Sequence, residues 1–190
     1  MRNIKSFQDQ IVQIIAKVYT RRFSTTSGGN ISIIEENGDM WITPSAIDKG
    51  SLKSEDIIHV GANGDISGPH PPSSEHPFHR AIYNIRNDIK SIVHVHSPSL
   101  VAFAIARKVP DANLIFHTRE ICGNVGYAKY ETPGSEELGE SISKEFEKGA
   151  NIVIMENHGV VAGGIDIYDA FQRLEALELL ATSTLLAQPY

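Results

Sequence analysis

Ser91-Ile92-Val93-His94-Val95-His96-Ser97-Pro98 is an apolar run rich in β-branched residues that carries two histidines, and the rest of the chain is placed around it. Such residues suit a pleated, half-buried surface, so the run reads as a strand. Successive strand side chains point to opposite faces, which sends His94 and His96 the same way. Each imidazole brings two ring nitrogens that need a partner when buried. Two readings stand open at this point: a pair of hydrogen-bonded histidines at a strand end, or part of a divalent metal site. The other segments have to decide between them.

Composition narrows the setting. A chain of 190 residues suits one domain, residues 1–190, long enough to bury roughly two thirds of its unfolded surface. A hydrophobic fraction of 41% and a charged fraction of 21% are those of an ordinary globular protein, neither disordered nor fibrous. The net charge of −6, with no lysine or arginine block, argues against a nucleic-acid surface and against an anionic membrane. The single cysteine, Cys122, rules out an internal disulfide and a cysteine-based metal site, as expected of a reducing cytoplasm. Met1 to Gln13 lacks the apolar core of a signal peptide, and no apolar run approaches the roughly 18 residues of a membrane span. A cytoplasmic location is the expectation.

Upstream of the two histidines, Ile4, Phe7, Ile11, Ile14, Ile15 and Val18 recur at helical spacing and predict an amphipathic helix to about Tyr19. Thr25-Thr26-Ser27-Gly28-Gly29-Asn30 then precedes a strand at Ile31-Ser32-Ile33-Ile34. Adjacent glycines let backbone N–H groups approach an anion, so this loop is either a plain turn or a phosphate cradle. It matches neither a Walker-type nor a dinucleotide-binding pattern. Asn37-Gly38-Asp39 and Ala62-Asn63-Gly64-Asp65 read as hairpin turns, which predicts antiparallel strands in this half. Trp41 is expected in the core, and His59 and His70 on surface loops. Ser73-Ser74-Glu75 opens a helix carrying Phe78, Ile82 and Ile85, where the serines either cap the helix or offer hydroxyls to an anion. His76 and His79 are taken as solvated or helix-packed rather than as ligands.

Downstream, Ser99 to Ala106 predicts a short helix, and Val109 to Tyr130 is the least readable stretch. Ser135 is the expected N-cap of a helix ending near Gly149. Ile152-Val153-Ile154-Met155 is a buried strand that delivers Glu156-Asn157-His158-Gly159, and Ile167 to Leu186 forms a long closing helix. Three histidines, His94, His96 and His158, with Glu75 as an oxygen ligand or base, would make a first-row metal site. Zinc is its natural occupant.

Five segments, in order, are similar to the class II aldolase/adducin family: Thr26 to Ser32, Thr43-Pro44-Ser45-Ala46, Ser73-Ser74-Glu75 with Phe78-His79, His94-Val95-His96, and Asn157 to Val161. The resemblance runs from about residue 5 to residue 187. It implies an α/β fold, three layers α/β/α around a mostly antiparallel sheet, with one zinc per subunit near an interface of a cyclic homotetramer. It assigns the metal to His94, His96 and His158. It assigns the phosphate of a small sugar phosphate to Gly29, Asn30, Ser45, Ala46, Ser73 and Ser74, with Ala46 where the family usually has glycine. Glu75 becomes the catalytic acid–base, where the related 4-epimerases carry aspartate.

The activity so implied is a zinc-dependent aldolase, a lyase cleaving a ketose 1-phosphate resembling fuculose 1-phosphate into dihydroxyacetone phosphate and an aldehyde through a metal-stabilised enediolate. The alternatives are a 4-epimerase, a sugar-acid-phosphate decarboxylase with Arg119 as carboxylate partner, a thiosugar-phosphate dehydratase, and a non-catalytic adducin-type module. Two departures bear on the substrate. Phe116 aligns with a tyrosine that acts from the neighbouring subunit, leaving His117, Arg119, Tyr127 or Tyr130 as substitutes. The sequence ends at Tyr190, where fuller members continue over the site, so specificity or turnover is expected to differ.

Overall fold

The computed structural model describes residues 5–187, so Ile4 of the expected first helix lies outside the described residues. In chain order the elements are α1 (Phe7–Thr20), β1 (Asn30–Ile34), β2 (Met40–Ile42), β3 (Ile58–Val60), β4 (Ile66–Ser67), α2 (His76–Ile85), β5 (Ser91–Val95), α3 (Pro98–Ile105), α4 (Thr118–Cys122), β6 (Val125–Ala128), α5 (Glu136–Glu147), β7 (Ile152–Met155), β8 (Gly159–Gly164) and α6 (Ile167–Ala187). The eight strands form one sheet in the order β4-β3-β2-β1-β5-β8-β7-β6. Every pairing is antiparallel except β6 with β7. That exception follows from connectivity, because α5 joins β6 to β7 as a crossover, and a crossover returns the chain in the same direction.

Strand alternation divides the core into two layers. Ile31, Ile33, Val93, Val95, Ile152 and Ile154 face α1, α3 and α6. Ile92, Val153, Val161, Met40 and Ile42 face α2 and α5, where Phe78, Ile82, Leu138, Ile142 and Phe146 close the other layer. The result is the expected α/β/α stack. In it β5 lies between β1 and β8, and His94 falls in register with Asn30 on β1 and Val161 on β8.

The helix signals in the sequence act as physical chemistry predicts. The Ser135 hydroxyl accepts the Leu138 N–H at 3.2 Å, and Gly149 takes φ +94° just past the end of α5, where a left-handed residue stops a helix. Three expectations need adjustment. Trp41 is half-buried, with its indole N–H donating to Glu35 at 2.5 Å. His59 is a strand residue of β3, tilted against Trp41 at 4.8 Å and paired with Asp39 at 3.1 Å. His70 is also half-buried, against Asp56 at 3.2 Å. The two histidines are drawn inward by partners that local sequence does not reveal, whereas Trp41 stops short of full burial, with its indole N–H on the Glu35 carboxylate.

Candidate functional site

Two chain segments bring the three histidines together. His94 lies in β5, which is buried along its whole length, and His96 lies two residues further on the same face, as alternation requires. Their rings meet edge to face, with centroids 4.7 Å apart. His158 comes from the tight β7–β8 turn, which closes through its N–H on the Met155 carbonyl at 3.1 Å and places Asn157 at φ +55°. Asparagine tolerates that left-handed conformation better than most residues. One ring nitrogen of each histidine lies within 4.8 Å of those of the other two. Gly159 makes the convergence possible. A Cβ there would stand 2.5 Å from the Val95 carbonyl oxygen and 2.7 Å from the His96 ring.

Glu75 completes the cluster. It occupies the N-cap position of α2, yet its side chain caps nothing. The Ser73 hydroxyl accepts the Glu75 N–H instead, at 3.3 Å. Freed from the helix, the carboxylate turns to the histidines, with Oε2 at 3.2 Å from His94 Nε2 and Oε1 at 3.3 Å from His158 Nε2. The second approach lacks hydrogen-bond geometry, and buried Oε1 has no hydrogen-bond partner, like His158 Nδ1. Oε2 accepts from the Asn30 amide at 2.8 Å.

The electrostatics follow from burial and pairing. Burial opposes ionisation of Glu75, but the facing His94 and the donated hydrogen bonds outweigh it and hold the carboxyl well below its usual range. His94 is pulled upward: burial opposes this, while the Glu75 charge and the Val160 carbonyl prevail. His96 and His158 are pushed down to about 3 and about 4, by burial first and by His94 next. Neutral imidazoles are the form that binds metals. His94 Nδ1 donates to the Val160 carbonyl at 3.0 Å, the orientation typical of a ligating histidine that offers Nε2. This donor set fits a first-row divalent ion held by His94, His96 and His158.

A cavity of about 220 Å³ opens beside the cluster, lined by Gly29, Asn30, Ser45, Ala46, Ser73, Ser74 and Glu75 together with His96 and His158. All six residues assigned to the phosphate therefore lie on one cavity wall or another. Two serine loops are held side by side by the Ser45 N–H on the Pro71 carbonyl (3.0 Å) and the Ser73 N–H on the Thr43 carbonyl (3.1 Å). Ala46 has φ +55°, a conformation that explains why glycine suits the position. Roomier depressions of about 530, 570 and 710 Å³ lie elsewhere and include none of the three histidines.

Sequence reasoning missed two residues here. Lys49, the only lysine or arginine among the described residues that lines the cavity, is 2% exposed. Its ammonium donates to the Pro44 carbonyl at 2.6 Å, and burial pushes its pKa down to about 8. Glu178, on α6 and 6% exposed, accepts from the Ser97 hydroxyl at 2.8 Å and from the Ser99 and Leu100 N–H groups at 3.1 and 3.0 Å. It thereby caps α3 and ties down the chain just after His96. Neither has a local signal, since both look like ordinary surface charges. The candidates for the far end of a substrate do not join this cavity within the chain. Phe116 is 85% exposed, His117 pairs with Glu120 at 2.6 Å, and Arg119 lines a separate depression with Val109 and Asp111.

Residues 9–185 match the family model described as Class II Aldolase and Adducin N-terminal domain. The chain belongs to the class II aldolase and adducin family. Within this family it is 36% identical over 179 residues to an L-fuculose phosphate aldolase of Methanocaldococcus jannaschii, covering 93% of this chain and 94% of that protein. It is 29% identical over 176 residues to a 3-oxo-tetronate 4-phosphate decarboxylase of Haemophilus influenzae, covering 90% and 83%. The solved structure of an L-fuculose 1-phosphate aldolase superposes with a TM-score of 0.87 at 30% identity, over 96% of this chain and 86% of that one. Class II aldolase relatives thus carry the names of more than one reaction on this fold. No helix among the described residues is long and apolar enough to cross a membrane.

Proposed function

We propose that residues 1–190 act as one domain, a zinc-dependent class II aldolase that cleaves a ketose 1-phosphate to dihydroxyacetone phosphate and an aldehyde. The observation that carries this reading is the placement of both Glu75 carboxylate oxygens, at 3.2 and 3.3 Å, against two of three converging histidines, beside a cavity rich in hydroxyls. Zinc held by His94, His96 and His158 would supply Lewis-acid polarisation of the sugar's carbonyl and hydroxyl oxygens.

The chain's own groups do the rest. Ser45, Ser73 and Ser74, the Asn30 amide and the backbone N–H groups at Gly29 and Ala46 take the phosphate, and Lys49 balances its charge. The small volume fits one phosphate and a short carbon chain rather than a large ligand. Glu75 moves the proton at C3. In condensation its carboxylate removes that proton; in cleavage the C4 hydroxyl gives up its proton as the C3–C4 bond breaks, and Glu75 then delivers a proton to C3. The depressed pKa of Glu75 keeps the carboxylate ready for the first of these steps. Assembly as a homotetramer, with the far end of the sugar met across an interface, agrees with the exposure of Ile105, Leu114 and Phe116.

The relatives named for decarboxylation favour a second reading, but Arg119, the base it would need for a carboxylate, lies outside the cavity. Zinc-loaded protein offered a panel of ketose 1-phosphates, with dihydroxyacetone phosphate followed through a coupled reduction, decides. Product from at least one substrate, lost in Glu75→Gln, is expected. No product from any ketose 1-phosphate, with carbon dioxide released from a phosphorylated 3-oxo acid, would move the assignment to decarboxylase.

A further inference from the structure

A row of buried polar groups runs from Glu75 into the layer between the sheet and α2, where neighbouring positions carry Met40, Ile82 and Ile92. Asn30 and Ser32 sit two apart on β1 and so share a face; His79 and Tyr83 sit four apart on α2 and share a helix face. The two periodicities mesh. Asn30 Nδ2 lies 2.8 Å from Glu75 Oε2, His79 Nε2 2.5 Å from Asn30 Oδ1, Ser32 Oγ 2.7 Å from His79 Nδ1, and Tyr83 Oη 2.7 Å from Ser32 Oγ. Asn30 and Tyr83 are 4% exposed, and Ser32 and His79 are fully buried.

Donor and acceptor chemistry fixes the direction of the whole row. A carboxylate only accepts, so Asn30 must turn its amide nitrogen to Glu75 and its oxygen to His79. That oxygen also only accepts, so His79 carries its proton on Nε2. The ring, neutral and fully buried, then presents a lone pair at Nδ1 to the Ser32 hydroxyl, whose oxygen accepts from Tyr83. Every donor therefore points toward Glu75. The other His79 tautomer, or the other Asn30 rotamer, would set two acceptors face to face inside the core.

We propose that His79 is a positioning residue for Glu75: its Nε2–H locks the orientation of the Asn30 amide, which in turn pins Glu75 Oε2. Oε1, buried and without a hydrogen-bond partner, is left as the oxygen that exchanges the proton with substrate. This inference rests on the reading of Glu75 as the acid–base, and it adds a residue that touches neither substrate nor metal.

The test is a double-mutant cycle on the zinc-loaded enzyme. His79→Phe is expected to lower kcat by about 10- to 100-fold, the range seen when an orienting partner is lost, with KM and zinc content unchanged. In an Asn30→Ala background the same substitution is expected to change kcat no further, since its route to Glu75 is already cut. Tyr83→Phe, one step further back, should lose less than His79→Phe. Equal, multiplicative losses in both backgrounds would overturn the proposal. An independent readout needs neither a variant nor activity: long-range ¹H–¹⁵N spectra of the wild-type protein should show the Nε2–H tautomer of His79, and an Nδ1–H tautomer would also overturn it. If wild type cleaves no ketose phosphate, the functional reading fails, and the tautomer alone decides the relay.

Discussion

His94 Nε2 and His96 Nε2 stand 3.1 Å apart. Two lone pairs cannot face each other at that distance, so a hydrogen belongs between them in the metal-free protein, carried by His94 when that ring is protonated, and, on the proposed reading, a cation in the loaded one. The pKa of His94 is raised above 6.5, so the stability this proton contributes is complete below that value and is lost as pH rises through the raised one. Zinc held there, as proposed, would take the proton's place and compete better as protons are withdrawn. Melting curves from about pH 6 to about pH 9 should show zinc-free protein losing stability while zinc-loaded protein holds it, widening the gap. Parallel curves would contradict a metal at this position.

Removing His158 leaves two imidazoles where three converge. Because His158 lies in a turn and only partly buried, His158→Ala should keep the fold, as judged by circular dichroism, while elemental analysis finds zinc well below one per chain and cleavage is lost. Full zinc occupancy in this variant would remove His158 from the donor set.

Lys49 works against stability and for binding. Burial lowers its pKa from 10.5 to about 8, so the unfolded chain holds a proton more firmly than the folded one. Its cost is present at neutral pH and is relieved as pH rises from about 8 toward 10.5. Lys49→Met should therefore raise the melting temperature in phosphate-free buffer. The same substitution should weaken inorganic phosphate, measured by its inhibition of cleavage, by about 10- to 100-fold, as loss of a charged hydrogen-bond donor predicts. Unchanged inhibition would place the phosphate elsewhere.

Gly159→Ala forces a methyl carbon to within 2.5 Å of the Val95 carbonyl oxygen and 2.7 Å of the His96 ring. Neither backbone nor a packed ring yields cheaply. A loss of about 2 kcal/mol or more in denaturant unfolding is expected, together with weakened zinc binding. A stable variant with intact zinc affinity would show that β5 and β8 can part without harm.

Ala46 holds φ +55°, which costs an L-residue roughly 1–2 kcal/mol, while glycine adds about 0.5–1 kcal/mol of unfolded-chain freedom. The balance favours Ala46→Gly by up to about 1.5 kcal/mol. The midpoint of urea unfolding should rise slightly with an unchanged slope.

What the sequence revealed and what it hid follow one physical division. Strand alternation alone put His94 and His96 on one face, and Ser135 and the Asn37-Gly38 turn act through neighbours within three residues, so they are legible locally. The β6 strand was hidden because Gly126 and half-exposed neighbours blur any alternation, and its parallel partner arrives only after α5. Lys49, Glu178 and the Ser32–His79 contact depend on pairings made by tertiary folding. His76 and His79, three apart in sequence, suggested nothing of their different fates: one sits half-buried with Nδ1 on the Ser73 carbonyl at 3.0 Å, the other is sealed in the core.

Glu178 carries a consequence for how the protein is made. The three histidines have all left the ribosome once residue 158 has emerged, yet the segment just beyond His96 is tied down by a carboxylate on the final helix. A nascent chain can therefore own every imidazole and still lack the anchor on the segment that follows His96. On the proposed metal reading, a finished centre would thus require α6 in place as well as the strands that carry the imidazoles.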